Sequence, residues 1–360
     1  MNTEDRHFEQ QQTQATALRA LDAAANRASE GLRVAEDYTR FVLDDWYLTG
    51  NLKQLRHDLQ QIVSQIPQTE LHACRQTTTD VGTEIKTTTE YQRADWDDLV
   101  SANLKRAEQA LRTLEEFSKI IGTYQPASFE SLRYRVYTLH KLLTTTQQSQ
   151  SRLKDAKLYV LLDGRDSGES FHALATELIE AQVDVIQLRD KKLSDKQLLS
   201  HAKLLRKLTS NTSTLFIMND RPDIAALSDA DGVHLGQDEL SVKEARAIIG
   251  PKKLIGISTH SLEQVKQAIT DGANYLGTGP TFASQTKNFK EFPGLKFIEQ
   301  ANQLSTLPMF AIGGINLENL PQVLKTGASR IAVSHAVIEA KQPKLAVQEL
   351  KNKLANIERD

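Results

Sequence analysis

Residues 185–191 read VIQLRDK, an apolar run that ends in an amide, a guanidinium, a carboxylate and an ammonium. The same grammar recurs on both sides of it. Short apolar runs cover Leu158–Leu162, Thr214–Met218, Gly232–Leu235, Leu254–Ile257, Tyr275–Gly277, Met309–Ile312 and Arg330–Val333, and stretches with helical spacing separate them. Short apolar strands alternating with helices imply a parallel sheet with crossover connections. Eight such units in about 200 residues suit a compact (β/α)8 barrel. An open doubly wound sheet is the competing topology. It would carry a Gly-rich loop after its first strand, and Asp163-Gly164-Arg165-Asp166 is no dinucleotide fingerprint.

In such a barrel, reactive groups emerge at the C-terminal ends of the strands. After the second run, alternation puts Gln187, Arg189 and Lys191 on one side, a candidate clamp for an oxyanion. After the third comes Asn219-Asp220-Arg221-Pro222, where Asp220 either meets a hard cation such as Mg2+ or caps the next helix. After the fourth, His234-Leu235-Gly236-Gln237-Asp238-Glu239 adds carboxylates at the same rim, with His234 read as a packed barrel histidine. Ser258 follows the fifth, and the sixth opens a loop rich in glycine and hydroxyls, 277–287, that ends in Lys287. Gly313-Gly314 after the seventh run and Ser334 after the eighth form the usual phosphate site of these barrels. The residues alone therefore imply two anionic subsites, one at strands seven and eight and a metal–polyanion subsite at strands two to four.

The first 145 residues differ. Segments 15–43, 50–65, 96–121 and 126–144 show helical spacing, and the Thr-rich stretch Arg75 to Tyr91 reads as a loop. Arg27, Ala28, Leu32, Arg33 and Glu36 recur 79 residues later as Arg106, Ala107, Leu111, Arg112 and Glu115, so this domain reads as two helical hairpins related by duplication. The repeated Arg and Glu also suit ordinary intrahelical pairs. Residues 146–155 are polar and read as a linker, followed by the barrel domain over 156–360.

The chain has 44 basic and 46 acidic residues, a net charge of −2, which argues against a nucleic-acid partner. No apolar run is long enough for a membrane span, and the polar N-terminus is not a signal peptide. Cys74 is the only cysteine, so no intrachain disulfide forms. These facts favour a cytoplasmic protein and are compatible with small anionic ligands. A homo-oligomer is left open.

The strand-end motifs QLRDK (187–191), NDRPD (219–223), DGVHLGQ (231–237), GIS (256–258), TGP…TK (278–287), AIGGI (311–315) and AVS (332–334) resemble thiamin-phosphate synthase over nearly all of 155–350. The resemblance implies a transferase that joins 4-amino-5-hydroxymethyl-2-methylpyrimidine diphosphate to hydroxyethylthiazole phosphate and releases diphosphate. It implies that Gln187, Arg189, Lys191, Asn219, Ser258 and Lys287 hold the pyrimidine diphosphate, with Arg189, Lys191 and Lys287 neutralising the leaving group. Ser284, Thr286, Gly314, Val333 and Ser334 would hold the thiazole phosphate. Asp220 and the acid after Gln237 would hold Mg2+, with position favouring Glu239 over Asp238. The sequence departs from the family at Glu239, where Asp is usual, at Ser284 for Thr and at Ala283 for Pro. A barrel relative acting as a thiazole-phosphate tautomerase or sensor is the alternative. The N-terminal half resembles the helical domain fused to this synthase in some bacteria, a family linked to phosphorylation of the pyrimidine monophosphate. No Walker loop supports kinase chemistry, and a packing or dimerisation module is the other reading.

Overall fold

The computed structural model describes residues 3–76, 80–81, 92–122, 126–282 and 292–355. Contacts divide the chain into two units, Met1–Thr144 and Thr145–Asp360.

The first unit is helical: α1 (Thr3–Phe41), α2 (Trp46–Val63), α3 (Gln68–Cys74), α4 (Trp96–Ile121) and α5 (Pro126–Arg152), whose last turns belong to the second unit. Side-chain caps start two of them. Asp45 accepts from the Leu48 amide and Asp95 from the Asp98 amide, both at 2.8 Å, satisfying amides that a helix start leaves bare. Leu21, Ala28 and Leu32 of α1 pack with Leu104, Ala107 and Leu111 of α4 in one core. Gly31 permits this approach, because a Cβ there would sit 2.5 Å from the Asn103 carbonyl oxygen. The repeated Arg and Glu residues do more than pair within helices. Arg33 and Arg112 do bridge to Glu36 and Glu115 of their own helices. Each buried glutamate is also gripped from the following hairpin helix, Glu36 by Arg56 Nε at 2.8 Å and Glu115 by Arg133 Nη2 at 2.9 Å. The loop expected over residues 75–91 falls mostly outside the described residues.

The expected linker is corrected. Helix α5 runs on to Arg152, through the polar residues read as coil. Ser149 is fully buried and accepts from Asn274 Nδ2 at 3.1 Å. Gln150 Nε2 donates to the Thr306 carbonyl at 3.0 Å, and Arg152 Nη1 donates to the Lys252 carbonyl at 2.5 Å. Leu153 and Ala156 then enter the core inside the barrel. Composition suggested coil, but tertiary hydrogen bonds override weak local propensity.

The second unit is a closed parallel barrel in the order β1 (Leu158–Leu162), β2 (Val185–Leu188), β3 (Leu215–Asn219), β4 (Gly232–Leu235), β5 (Leu254–Thr259), β6 (Tyr275–Thr278), β7 (Met309–Ile312) and β8 (Ile331–Val333). The crossovers are α6 (Gly168–Glu180), α7 (Asp195–Thr209), α8 (Pro222–Leu227), α9 (Val242–Ile249), α10 (Leu262–Asp271), α11 (Gly294–Leu304) and α12 (Leu320–Leu324). Helices α13 (His335–Ile338) and α14 (Pro343–Ala355) follow β8. Serine starts α6, α7, α9 and α10: Ser167, Ser194, Ser241 and Ser261 each cap an amide three residues on. Strands buried on both faces explain the near-continuous apolar runs.

Candidate active site

All eight strands end in one cavity of about 830 Å³. Its polar end lies over β2, β3 and β4. Gln187, in β2, and Arg189 and Lys191, just beyond its end, line it together. Asp190, the residue between, points away and pins the loop. It accepts from the amides of Lys192 at 2.7 Å, Gly164 at 3.0 Å and Leu193 at 3.1 Å. Burial alone would raise the Asp190 carboxyl, but these amides outweigh it and hold it below its ordinary value.

Asn219 is the last residue of β3, and Asp220 follows in a left-handed conformation with φ 58°. Its amide donates to the His234 carbonyl at 2.8 Å. Its carboxylate faces the cavity, with Oδ2 3.0 Å from Lys191 Nζ. Glu239 Oε1 lies 3.6 Å from the same ammonium. Two carboxylates therefore already converge on one positive charge beside open space. That donor set fits Mg2+, which takes one or two protein carboxylates and completes its shell with water and substrate phosphate. Among the described residues, no group of three or more His, Cys, Asp or Glu could by itself hold an ion. Asp238 also lines the cavity.

The floor of the cavity is a hydrogen-bonded chain across the barrel. Gln187 Nε2 donates to Tyr159 Oη at 2.9 Å. Tyr159 Oη lies 3.1 Å from Tyr275 Oη. Tyr275 Oη lies 3.3 Å from His234 Nδ1, and His234 Nε2 lies 3.0 Å from Ser258 Oγ. Phe310 stands nearly perpendicular to both tyrosine rings. Burial holds both phenols above their ordinary pKa, so they stay protonated. His234 is thus the packed barrel histidine that its sequence position suggested. Gly256 makes the ring pairing sterically possible, since a Cβ there would meet Tyr275 Cζ at 2.1 Å and His234 Nδ1 at 2.5 Å.

The other end lies over β7 and β8. Gly313 and Gly314 take φ of 104° and 64°, which favours glycine. The Thr281 amide donates to the Ile312 carbonyl at 2.8 Å and the Phe282 amide to that of Gly313 at 3.0 Å, tying the β6 loop to this turn. Gly314, Val333 and Ser334 line the cavity here, and Ser334 Oγ donates to the Leu161 carbonyl at 3.1 Å.

The structure thus brings together Gln187, Arg189, Lys191, Asn219, Asp220, Glu239, Ser258, Gly314, Val333 and Ser334. Ser284, Thr286 and Lys287 lie outside the described residues. Sequence reading missed Tyr159, Tyr275 and His260, all lining the cavity. A tyrosine inside an otherwise aliphatic barrel strand was the available signal for the first two. His260 Nδ1 donates to the Gly279 carbonyl at 2.6 Å, a loop contact that no local pattern announces.

A closed parallel barrel whose C-terminal rim gathers cations, carboxylates and a glycine turn defines a phosphate-handling (β/α)8 enzyme. A family model described as thiamine monophosphate synthase matches residues 158–337, and one described as the ThiD2 family matches residues 19–142. The thiamine-phosphate synthase of Rhodopirellula baltica is 44% identical over 331 residues, covering 89% of this chain and 88% of that protein. That of Synechocystis sp. is 40% identical over 348 residues, covering 96% and 99%. Among solved structures, the thiamine phosphate pyrophosphorylase from Pyrococcus furiosus is 35% identical with a TM-score of 0.51, covering 57% of this chain and 98% of that one. The chain belongs to the thiamine-phosphate synthase family and is a transferase of that type. No described helix is long and apolar enough to cross a membrane.

Proposed function

We propose that this cavity condenses an aminopyrimidine diphosphate with hydroxyethylthiazole phosphate to give thiamin phosphate and diphosphate, as a cytoplasmic enzyme. In this reading the pyrimidine diphosphate lies along β2–β5 on Gln187, Arg189, Lys191, Asn219, Ser258 and Lys287. The thiazole phosphate lies against Gly314, Val333 and Ser334, with Ser284 and Thr286 from the β6 loop. The observation that carries it is Lys191 Nζ at 3.0 Å from Asp220 and 3.6 Å from Glu239, beside Arg189 in the same cavity. A tautomerase or sensor of thiazole phosphate has no use for that set.

The bond between the benzyl-like carbon and the diphosphate oxygen breaks, the diphosphate takes the electron pair, and the thiazole nitrogen attacks the resulting cation. Arg189, Lys191 and Lys287 neutralise the charge that develops on the departing oxygens. Asp220 and Glu239 would hold Mg2+, which when bound supplies Lewis-acid stabilisation of the diphosphate. The attacking nitrogen is neutral and carries no proton, so no general base is required.

Purified protein, both substrates and Mg2+ should release diphosphate, and chelation should abolish the release. Absence of turnover with verified substrates overturns the assignment. For the N-terminal unit, the ThiD2 family match supports phosphorylation of the pyrimidine monophosphate as a second activity. The full chain given ATP and that monophosphate should form the diphosphate. Failure to do so leaves a packing or dimerisation module.

A further inference from the structure

The floor chain obeys an ordering rule. Each phenol has one proton to donate, and a neutral imidazole donates from one nitrogen and accepts at the other. Direction therefore propagates from Ser258 through His234, Tyr275 and Tyr159 to Gln187, at successive separations of 3.0, 3.3, 3.1 and 2.9 Å. Once one end is set, so is the other.

A diphosphate oxygen beside Ser258 can only accept. Ser258 must then donate to it and accept from His234 Nε2–H. His234 Nδ1 accepts the Tyr275 proton, Tyr275 accepts from Tyr159, and Tyr159 accepts from Gln187 Nε2. The last of these is the contact observed. It leaves the Gln187 carbonyl oxygen and its second N–H as an acceptor–donor edge. Such an amide edge pairs bidentately with a ring amino group and the adjacent ring nitrogen. The reverse polarity would turn the amide over and match a ring bearing an oxo group and N–H instead.

We propose that Tyr159, Tyr275 and His234 form a selectivity relay. Diphosphate bound at Ser258 locks the Gln187 amide, through them, in the orientation it already has, so that the site accepts a 4-aminopyrimidine and rejects its 4-oxo counterpart. The relay rests on the placement of the pyrimidine diphosphate given above, and it makes these three positioning residues.

The test compares binding of the aminopyrimidine diphosphate and its 4-oxo analogue, measured calorimetrically without thiazole phosphate. The intact protein should prefer the amino ring by about tenfold or more, the scale of a bidentate pair. Tyr275→Phe keeps the ring and removes the link, and should erase most of that preference. A uniform weakening of both ligands, with the preference intact, is what a merely structural tyrosine would give and overturns the relay. Gln187→Ala that leaves both affinities unchanged overturns the underlying placement instead. A readout without any barrel variant is nitrogen NMR of the histidine rings with inorganic diphosphate and Mg2+ bound. His234 should carry its proton on Nε2, and a proton on Nδ1 overturns the proposed polarity.

Discussion

Gly256→Ala should damage the barrel unit far more than one methyl suggests. The added Cβ would lie 2.1 Å from Tyr275 Cζ, 2.4 Å from Tyr275 Cε2 and 2.5 Å from His234 Nδ1. Carbon contacts normally begin at about 3.5 Å, so the tyrosine ring must retreat by more than about 1 Å. Its hydroxyl then leaves both partners, Tyr159 Oη at 3.1 Å and His234 Nδ1 at 3.3 Å. Overpacking costs about 1–3 kcal/mol and each lost hydrogen bond about 1 kcal/mol, so the loss should be about 3–5 kcal/mol. Gly277→Ala is the control, because its nearest contact would be His234 Cε1 at 3.2 Å, which a small ring shift relieves. Urea unfolding must be followed by circular dichroism, since Trp46 and Trp96 both lie in the helical unit. Equal stabilities for the two variants would refute the steric argument.

Other perturbations separate chemistry from folding. Lys191→Ala should slow diphosphate release by about 10²–10³ while changing stability by less than about 1 kcal/mol, because the ammonium is 57% exposed; a rate near that of the parent protein refutes its role. Leu153→Ala, at a side chain 1% exposed inside the barrel core, should cost the barrel unit about 2–5 kcal/mol. If the segment behaves as a free linker, denaturation will show no change. Burial raises the Glu115 carboxyl, but the hydrogen bond and charge of Arg133, with Arg112 and Lys119, outweigh it and leave it lowered. The native pKa lies below the unfolded one, so this stabilisation is complete above about pH 4.5 and is lost as pH falls through the native value. Glu115→Gln should therefore weaken the helical unit at neutral pH, with the difference from the parent shrinking in acid, as tryptophan fluorescence reports. A difference independent of pH refutes it.

The barrel was legible because its strands are buried on both faces and so appear as apolar runs, each ending in the polar residues the rim exposes. Gln187, Arg189 and Lys191 were readable as one set because they close a single apolar run, where a barrel of this kind gathers its reactive groups. Segment 146–155 misled because its polar side chains bind carbonyls and an amide distant in sequence, and composition cannot announce such partners. The tyrosine pair of the floor was hidden for the same reason: Tyr159 and Tyr275 meet only because barrel closure brings β1 within reach of β6. By itself, the sequence determined the strand order, the charged rim and the glycine turn, all carried by periodicity and short motifs. Only tertiary structure decided that Asp220 and Glu239 share one ammonium and that five polar groups form one chain, because those contacts depend on how the barrel closes.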